Sequence, residues 1–299
     1  SNCFASNMNY TVKAAFWMTG CIASFSTMAV AGREVAIELD TFEIMMYRSL
    51  FGLIIVLAVG SAVGTLGQIN RQNLGLHAMR NVFHFTGQNL WFFAVTVIPL
   101  AQVFALEFTT PFWVIVLSPL ILGEKLTAMR SLAAVMGFCG ILMVAQPDMQ
   151  GINAGVITAA SCAIFFALTI MLTKRLTRTQ STTCILFYLT AMQLVLGIVA
   201  AGYDGDVAIP TLTSLPYVVL IGAAGLTAHF CMTTALSLAP ATVVIPIDFV
   251  RLPVIAVIGM LLYNEAIDVW IFAGAAFIFA GNYLNLWSET RKKSESYVR

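Results

Sequence analysis

Charge is what this sequence has least of. Lys, Arg, Asp and Glu make up 10% of its 299 residues, against roughly 25% in a soluble domain. With 60% hydrophobic residues and a mean hydropathy of +0.89, that shortage excludes a soluble globular protein and points to a polytopic α-helical membrane protein. The net charge of +1 comes without any basic domain, so no nucleic-acid partner is expected. A phosphate-cradling GxxxxGK[ST] loop is missing, which argues against an ATP-driven pump. An HExxH cluster is missing too, and His84 and His229 fall in separate apolar runs, which argues against a metal-dependent intramembrane hydrolase. No pore-loop signature or acidic ring marks an ion channel. Close cysteine pairs are also lacking: Cys3, Cys21, Cys139, Cys162, Cys184 and Cys231 stand apart, all but Cys3 within apolar runs. They read as small packing residues, with no disulfide framework, metal site or cofactor expected.

What the chain has in quantity is apolar runs long enough to cross a ~30 Å hydrocarbon core. Ten are expected, near 14–31, 42–63, 78–97, 101–122, 129–146, 154–173, 182–201, 215–238, 241–262 and 269–287. No cleavage motif follows the first, so it reads as a retained helix. Short cytoplasmic loops retain Lys and Arg. An inside N-terminus puts Lys13, Arg71, Arg80, Lys125, Arg130, Lys174, Arg175, Arg178, Arg291, Lys292, Lys293 and Arg299 on the inner face and only Arg33 outside. The outer loops then carry acids instead: Glu34, Glu38, Asp40, Asp148, Asp204, Asp206, Glu265 and Asp268. Both termini are therefore expected in the cytoplasm, in a multi-pass protein of the inner (plasma) membrane.

One stretch repeats. Adding 141 to the numbering carries Pro99 to Pro240, Glu107 to Asp248, Phe108 to Phe249, Leu120 to Leu261 and Glu124 to Glu265 without a gap. The same offset takes Cys21 to Cys162, Phe25 to Phe166, Tyr47 to Tyr188 and Gly140 to Gly281. Shared apolar residues alone would mean little, but one offset that also matches acids and prolines is architecture. Five helices per copy is an odd number, so the second copy must insert upside down. The expectation is two inverted five-helix repeats, residues 14–146 and 154–287, joined by a linker at 147–153 and flanked by tails at 1–13 and 288–299. In that plan a substrate site lies near the midplane.

The segment PLAQVFALEFTTPFWVIVLSPLILGEKLT, followed by MGFCGILMV, resembles the repeat of the drug/metabolite transporter superfamily, EamA type. Its second copy, APATVVIPIDFVRLPVIAVIGMLLYNEAI, has Asn264 where the first has Gly123. The resemblance covers almost the whole chain and implies a ten-helix bundle moving small metabolites by alternating access. Glu124 and Glu265 match the family's Gly-Glu ending; placed at the membrane edge, they are expected to cap or pair at helix ends.

Candidate site residues are the polar groups inside apolar spans, because an ionised side chain there costs several kcal/mol unless a partner or a pathway justifies it. Glu107 and Asp248 are related by the repeat. Arg251 follows Asp248 by three residues, on the same helical face, and Arg48 enters its span at a depth comparable to Glu107. Two readings stand: buried ion pairs that only lock the bundle, or pairs that open to exchange a partner for substrate charge or a proton. His84 and Gln88 lie one turn apart, the offset maps Gln88 to His229, and Asn89 and Trp91 extend a polar, aromatic strip. Trp113, with Trp17, Phe92 and Phe93, could line a cavity or merely pack. Pro111, Pro119, Pro246 and Pro253 interrupt the charged spans, and a freed carbonyl can serve a ligand only where it faces a cavity. The reading that accounts for all this is a secondary transporter, not an enzyme, for a small zwitterionic or anionic metabolite, amino-acid-like or aromatic. Its partners are that metabolite, the lipid bilayer and, as a candidate coupling ion, the proton; it is a monomer or homodimer. An integral membrane enzyme and a structural membrane protein are the alternatives.

Overall fold

The computed structural model describes residues 2–121, 123, 125–146, 152–239, 244 and 247–297. Glu124, Asp148, Pro240, Pro246 and Arg299, singled out above, lie outside them. Among the described residues every regular element is helical: α1 Asn2–Val35, α2 Thr41–Val63, a 3₁₀ turn Leu66–Gln68, α3 Leu74–Val97, α4 Leu100–Glu107, α5 Thr110–Ile121, α6 Ala128–Ala145, α7 Ala154–Leu176, α8 Thr182–Ala201, α9 Leu215–Leu238, α10 Arg251–Tyr263 and α11 Val269–Tyr297. Eight described segments are long and apolar enough to span a bilayer, with α4 and α5 together forming one of them. The shorter α10 is apolar too. The polar residues of α3 lower its hydropathy, yet its 24 residues are long enough to cross. Among the described residues these helices make up ten spans of an all-α integral membrane protein. The flanking segments extend the outer helices, since α1 already starts at Asn2 and α11 runs to Tyr297.

Local chemistry sets the helix ends. Asp40 caps α2 by accepting the Glu43 N–H at 2.8 Å, while Glu43 reaches back to the Asp40 N–H at 3.2 Å, so two otherwise orphaned donors are satisfied. Thr127 and Ser181 cap α6 and α8 with the first kind of bond alone, accepting the Arg130 and Cys184 N–H groups. Asn264 ends α10 at φ 52°, and its repeat equivalent Gly123 has φ 67°. That shared left-handed position explains the Gly-to-Asn difference between copies, because these two residue types adopt it most readily.

The chain divides into two units. The first holds residues 1–26, 98–163 and 227–299; the second holds 27–97 and 164–226. In the first unit, a Cβ on Gly140 would lie 2.7 Å from Gly274 O, and one on Gly281 3.0 Å from Ala133 O. As numbers fall along α6 they rise along α11, so these helices cross antiparallel in backbone contact. The offset turns the pair Ala133–Gly281 into Gly274–Gly140 with the members exchanged, the signature of a local two-fold relation. In the second unit, Gly52 meets Thr190 and Gly197 meets Met46, again antiparallel. There the equivalent tyrosines act reciprocally: Tyr47 of α2 donates to Ala208 O beyond α8, and Tyr188 of α8 donates to Asn70 O beyond α2.

The charged span is broken where its sequence demands. Pro111 cannot tolerate the Glu107 carbonyl in α-helical position, and the helix opens at Phe108–Thr109 between α4 and α5. The second copy turns at Phe249–Val250, just ahead of Pro253, and 249 and 250 are the offset equivalents of 108 and 109. The loosened carbonyls are used internally: Thr109 Oγ1 donates to Leu106 O at 2.6 Å, Thr110 Oγ1 to Glu107 O at 2.7 Å and Asn282 Nδ2 to Phe108 O at 3.3 Å. In a hydrocarbon environment that satisfaction is what makes the break tolerable.

Candidate functional site

The break in each copy positions a carboxylate, and both carboxylates meet the same arginine. Glu107 ends α4 and Arg251 begins α10, with Asp248 one turn before it. Arg251 Nη2 lies 3.0 Å from Asp248 Oδ2, and Arg251 Nη1 lies 3.6 Å from Glu107 Oε1. The side chains are 5%, 13% and 17% exposed for Arg251, Asp248 and Glu107 respectively, so the cluster is desolvated. The spacing of Asp248 and Arg251 is legible in sequence; the capture of Glu107 by the same guanidinium is not. Within its own unit, Arg48 donates to Met45 Sδ at 3.8 Å and packs against Gly225, with no carboxylate in ion-pair range among the described residues.

Three phenyl rings close around the guanidinium. Their centroids lie 4.5 Å (Phe25), 4.7 Å (Phe108) and 5.3 Å (Phe104) from its central carbon. Phe108 stacks on Phe249, its repeat equivalent, at 4.3 Å and 17°, so equivalent residues of the two copies meet at the cluster. His229, exposed on α9, stands edge-on to Phe25 at 5.8 Å. Trp113 lies on α5 beside Phe112 at 4.9 Å, and its Nε1 has no hydrogen-bond acceptor among the described residues. Phe25 was visible in the sequence only as a repeat marker, and Phe104 not at all; an apolar span gives no signal that one ring among many faces a cation.

Glu265 takes no part in this cluster. Its Oε2 accepts the Leu100 N–H at 3.0 Å, capping the start of α4 as expected of a helix-end acid.

The second unit carries the other candidates on α3. Gln88 is buried with Oε1 unsatisfied among the described residues, Asn89 donates to Phe85 O at 2.7 Å, and Trp91 is buried edge-on to Phe92 at 5.1 Å. His84 packs on Phe166 at 6.0 Å. The same face extends to residues that the sequence reading passed over. His77 packs on Tyr188 at 4.6 Å, Arg80 Nε donates to Thr173 Oγ1 at 2.8 Å, and Asn81 Nδ2 donates to Tyr188 O at 3.1 Å. The i, i+3, i+4 recurrence of 77, 80, 81, 84 and 88 is the signal that would have found them.

A family model described as "EamA-like transporter family" matches residues 12–146 and 153–287. An S-adenosylmethionine uptake transporter of Rickettsia bellii is 23% identical over 279 residues, spanning 93% of this chain and 95% of that protein. A riboflavin transporter of Brucella anthropi is 28% identical over 243 residues, 80% and 85% of the two chains. The pseudopaline exporter of Pseudomonas aeruginosa is 26% identical over 257 residues, 85% and 89%. A solved chain known only as a crystal structure of a protein superposes with a TM-score of 0.62 at 18% identity, over 93% of this chain and 98% of that one, which shows the fold. Family and relatives are transporters rather than enzymes, and the double match spans nearly the whole sequence. The chain belongs to the EamA-like transporter family.

Proposed function

We propose that this protein is a secondary active transporter of a small polar metabolite, zwitterionic or anionic, working by alternating access between inverted five-helix halves at 14–146 and 154–287. The observation that carries the reading is the sharing of Arg251 by Glu107 and Asp248, equivalent acids of the two copies. An arginine divided between two equivalent partners has two nearly matched arrangements, which is what a cycle with two end states needs. Antiparallel contact of equivalent helices supports the inversion. His229 and Trp113 are proposed as substrate contacts near that cluster; Arg48, His84, Gln88, Asn89 and Trp91 are proposed as substrate-binding candidates within the second unit, on their residue chemistry alone. The driving force is proton coupling or exchange of one metabolite for another.

Relatives named for S-adenosylmethionine, riboflavin and pseudopaline supply the first probes. Proteoliposomes containing the purified chain and no ATP should accumulate at least one of these labelled compounds saturably when preloaded with its unlabelled form. Glu107→Gln should lower that counterflow by about tenfold or more, since it removes a charge used when the state changes. Unaltered flux in E107Q would assign the cluster to structure alone.

For topology, we propose that both termini face the cytoplasm, on the twelve-to-one excess of basic residues on that side. Cysteines placed singly at Asp204 and Lys292, in a chain lacking its native cysteines, should react differently with an impermeant maleimide in intact cells. Position 204 should label and position 292 should remain protected until the membrane is opened; the reverse pattern reverses the orientation.

A further inference from the structure

The cluster is unbalanced. The repeat supplies an acid twice, as Glu107 and Asp248, but a base once: at the position equivalent to Arg251 the first copy has Thr110. Two carboxylates therefore face one guanidinium in a desolvated setting. Rings of Phe25, Phe104 and Phe108 complete the enclosure at 4.5–5.3 Å. Carboxylates joined to several aromatic faces are the chemistry that selects organic cations, because ring quadrupoles favour a large, weakly hydrated cation that the acids neutralise.

Arg251 is held loosely for so buried a group. Its residue is 4% exposed, yet Nε and Nη1 have no hydrogen-bond acceptor among the described residues, the 3.6 Å contact to Glu107 being long for one. Asp248 Oδ1 is likewise buried without a donor among them. A guanidinium evolved only to lock two acids would be expected to use its paired N–H groups on both; here one of five donors is spent on Asp248.

We infer that the Glu107–Asp248–Phe25–Phe104–Phe108 enclosure is the recognition site for a cationic group on the transported molecule, and that Arg251 is its tethered occupant between substrates. The entering group is an organic cation such as a guanidinium, a substituted ammonium or a sulfonium. On its arrival Arg251 leaves and becomes available to the substrate's own carboxylate, so the zwitterion is selected over the pure anion. This narrowing rests on the transporter reading, but the enclosure itself can be tested without any flux.

The probe is methylguanidinium, added to full-length Arg251→Ala in detergent, with sodium chloride at equal ionic strength as the control. Ligand that binds only the folded state raises its stability by mass action, so a saturable rise of several degrees in Tm is expected with methylguanidinium and not with sodium. The rise should disappear when Glu107→Gln and Asp248→Asn are added, and should be much smaller in the wild-type protein, whose enclosure is filled. Arg251→Gln, which keeps polar contact with both acids, serves the same measurement should R251A not survive extraction. No differential stabilisation by methylguanidinium in either variant overturns the inference. In proteoliposomes, methylguanidinium should inhibit wild-type counterflow competitively. A transported substrate with no cationic atom would sink the inference and leave the transporter reading intact. Methylguanidinium binding without flux of any metabolite would leave the enclosure standing and count against transport.

Discussion

Arg251→Leu is expected to abolish transport and to destabilise the protein by about 3–5 kcal/mol, the penalty typical of removing one partner from a buried charge pair. The size follows from what is left behind. Glu107 and Asp248 would remain at 17% and 13% exposure as two acids that have lost the guanidinium they share. Taking up protons or drawing in water would offset part of that loss. Adding Glu107→Gln and Asp248→Asn to Arg251→Leu should restore much of the lost stability, since no buried charge then needs a partner, and should not restore flux. Thermal melting in detergent and counterflow in proteoliposomes read the two effects separately. Recovery of both together would mean that the charges serve only to hold the bundle, the bland reading that the sequence left open.

How far this arrangement could be read in advance depends on which contacts are local. The i, i+3 pairing of Asp248 with Arg251 and the breaks at Pro111 and Pro253 are short-range, set by helical period and by a missing N–H, and they are legible in the sequence. So is the repeat, because an ungapped offset of 141 preserves acids, prolines and glycines together. The capture of Glu107 by Arg251 is not legible, since depth along a span fixes height and says nothing about azimuth. The aromatic enclosure is hidden for a different reason: Phe25, Phe104 and Phe108 are three of 21 phenylalanines, and composition cannot distinguish a ring facing a cation from one packing in the core. On α3 the signal was present and a boundary concealed it. Starting the span at 78 leaves His77 outside and puts Arg80 at its very edge, whereas the helix begins at Leu74 and carries both on the face of His84.

Valine at Gly140 or Gly274 is expected to prevent assembly of the first unit, costing about 3 kcal/mol or more by overpacking. A Cβ on Gly140 would lie 2.6 Å from Ile278 Cγ1 and 2.7 Å from Gly274 O, and one on Gly274 would lie 2.6 Å from Val144 Cγ2 and 2.7 Å from Gly140 O. Each obstructing pair includes a backbone oxygen, which no rotamer change can move, so α6 and α11 would have to separate. In a membrane such helices are held mainly by close van der Waals contact, because lipid is as apolar as their side chains, and separation would forfeit that contact along the crossing. The equivalent contact provides an internal scale. A Cβ on Gly281 would meet Ala133 O at 3.0 Å, a distance the helices can absorb by a shift of a few tenths of an ångström, so Gly281→Ala should be milder than Gly140→Ala or Gly274→Ala. Monodisperse yield in fluorescence-detected size-exclusion chromatography ranks the variants. Wild-type yield for Gly140→Val would show that α6 and α11 do not cross at these glycines, and the two-fold exchange of equivalent contacts would lose its basis.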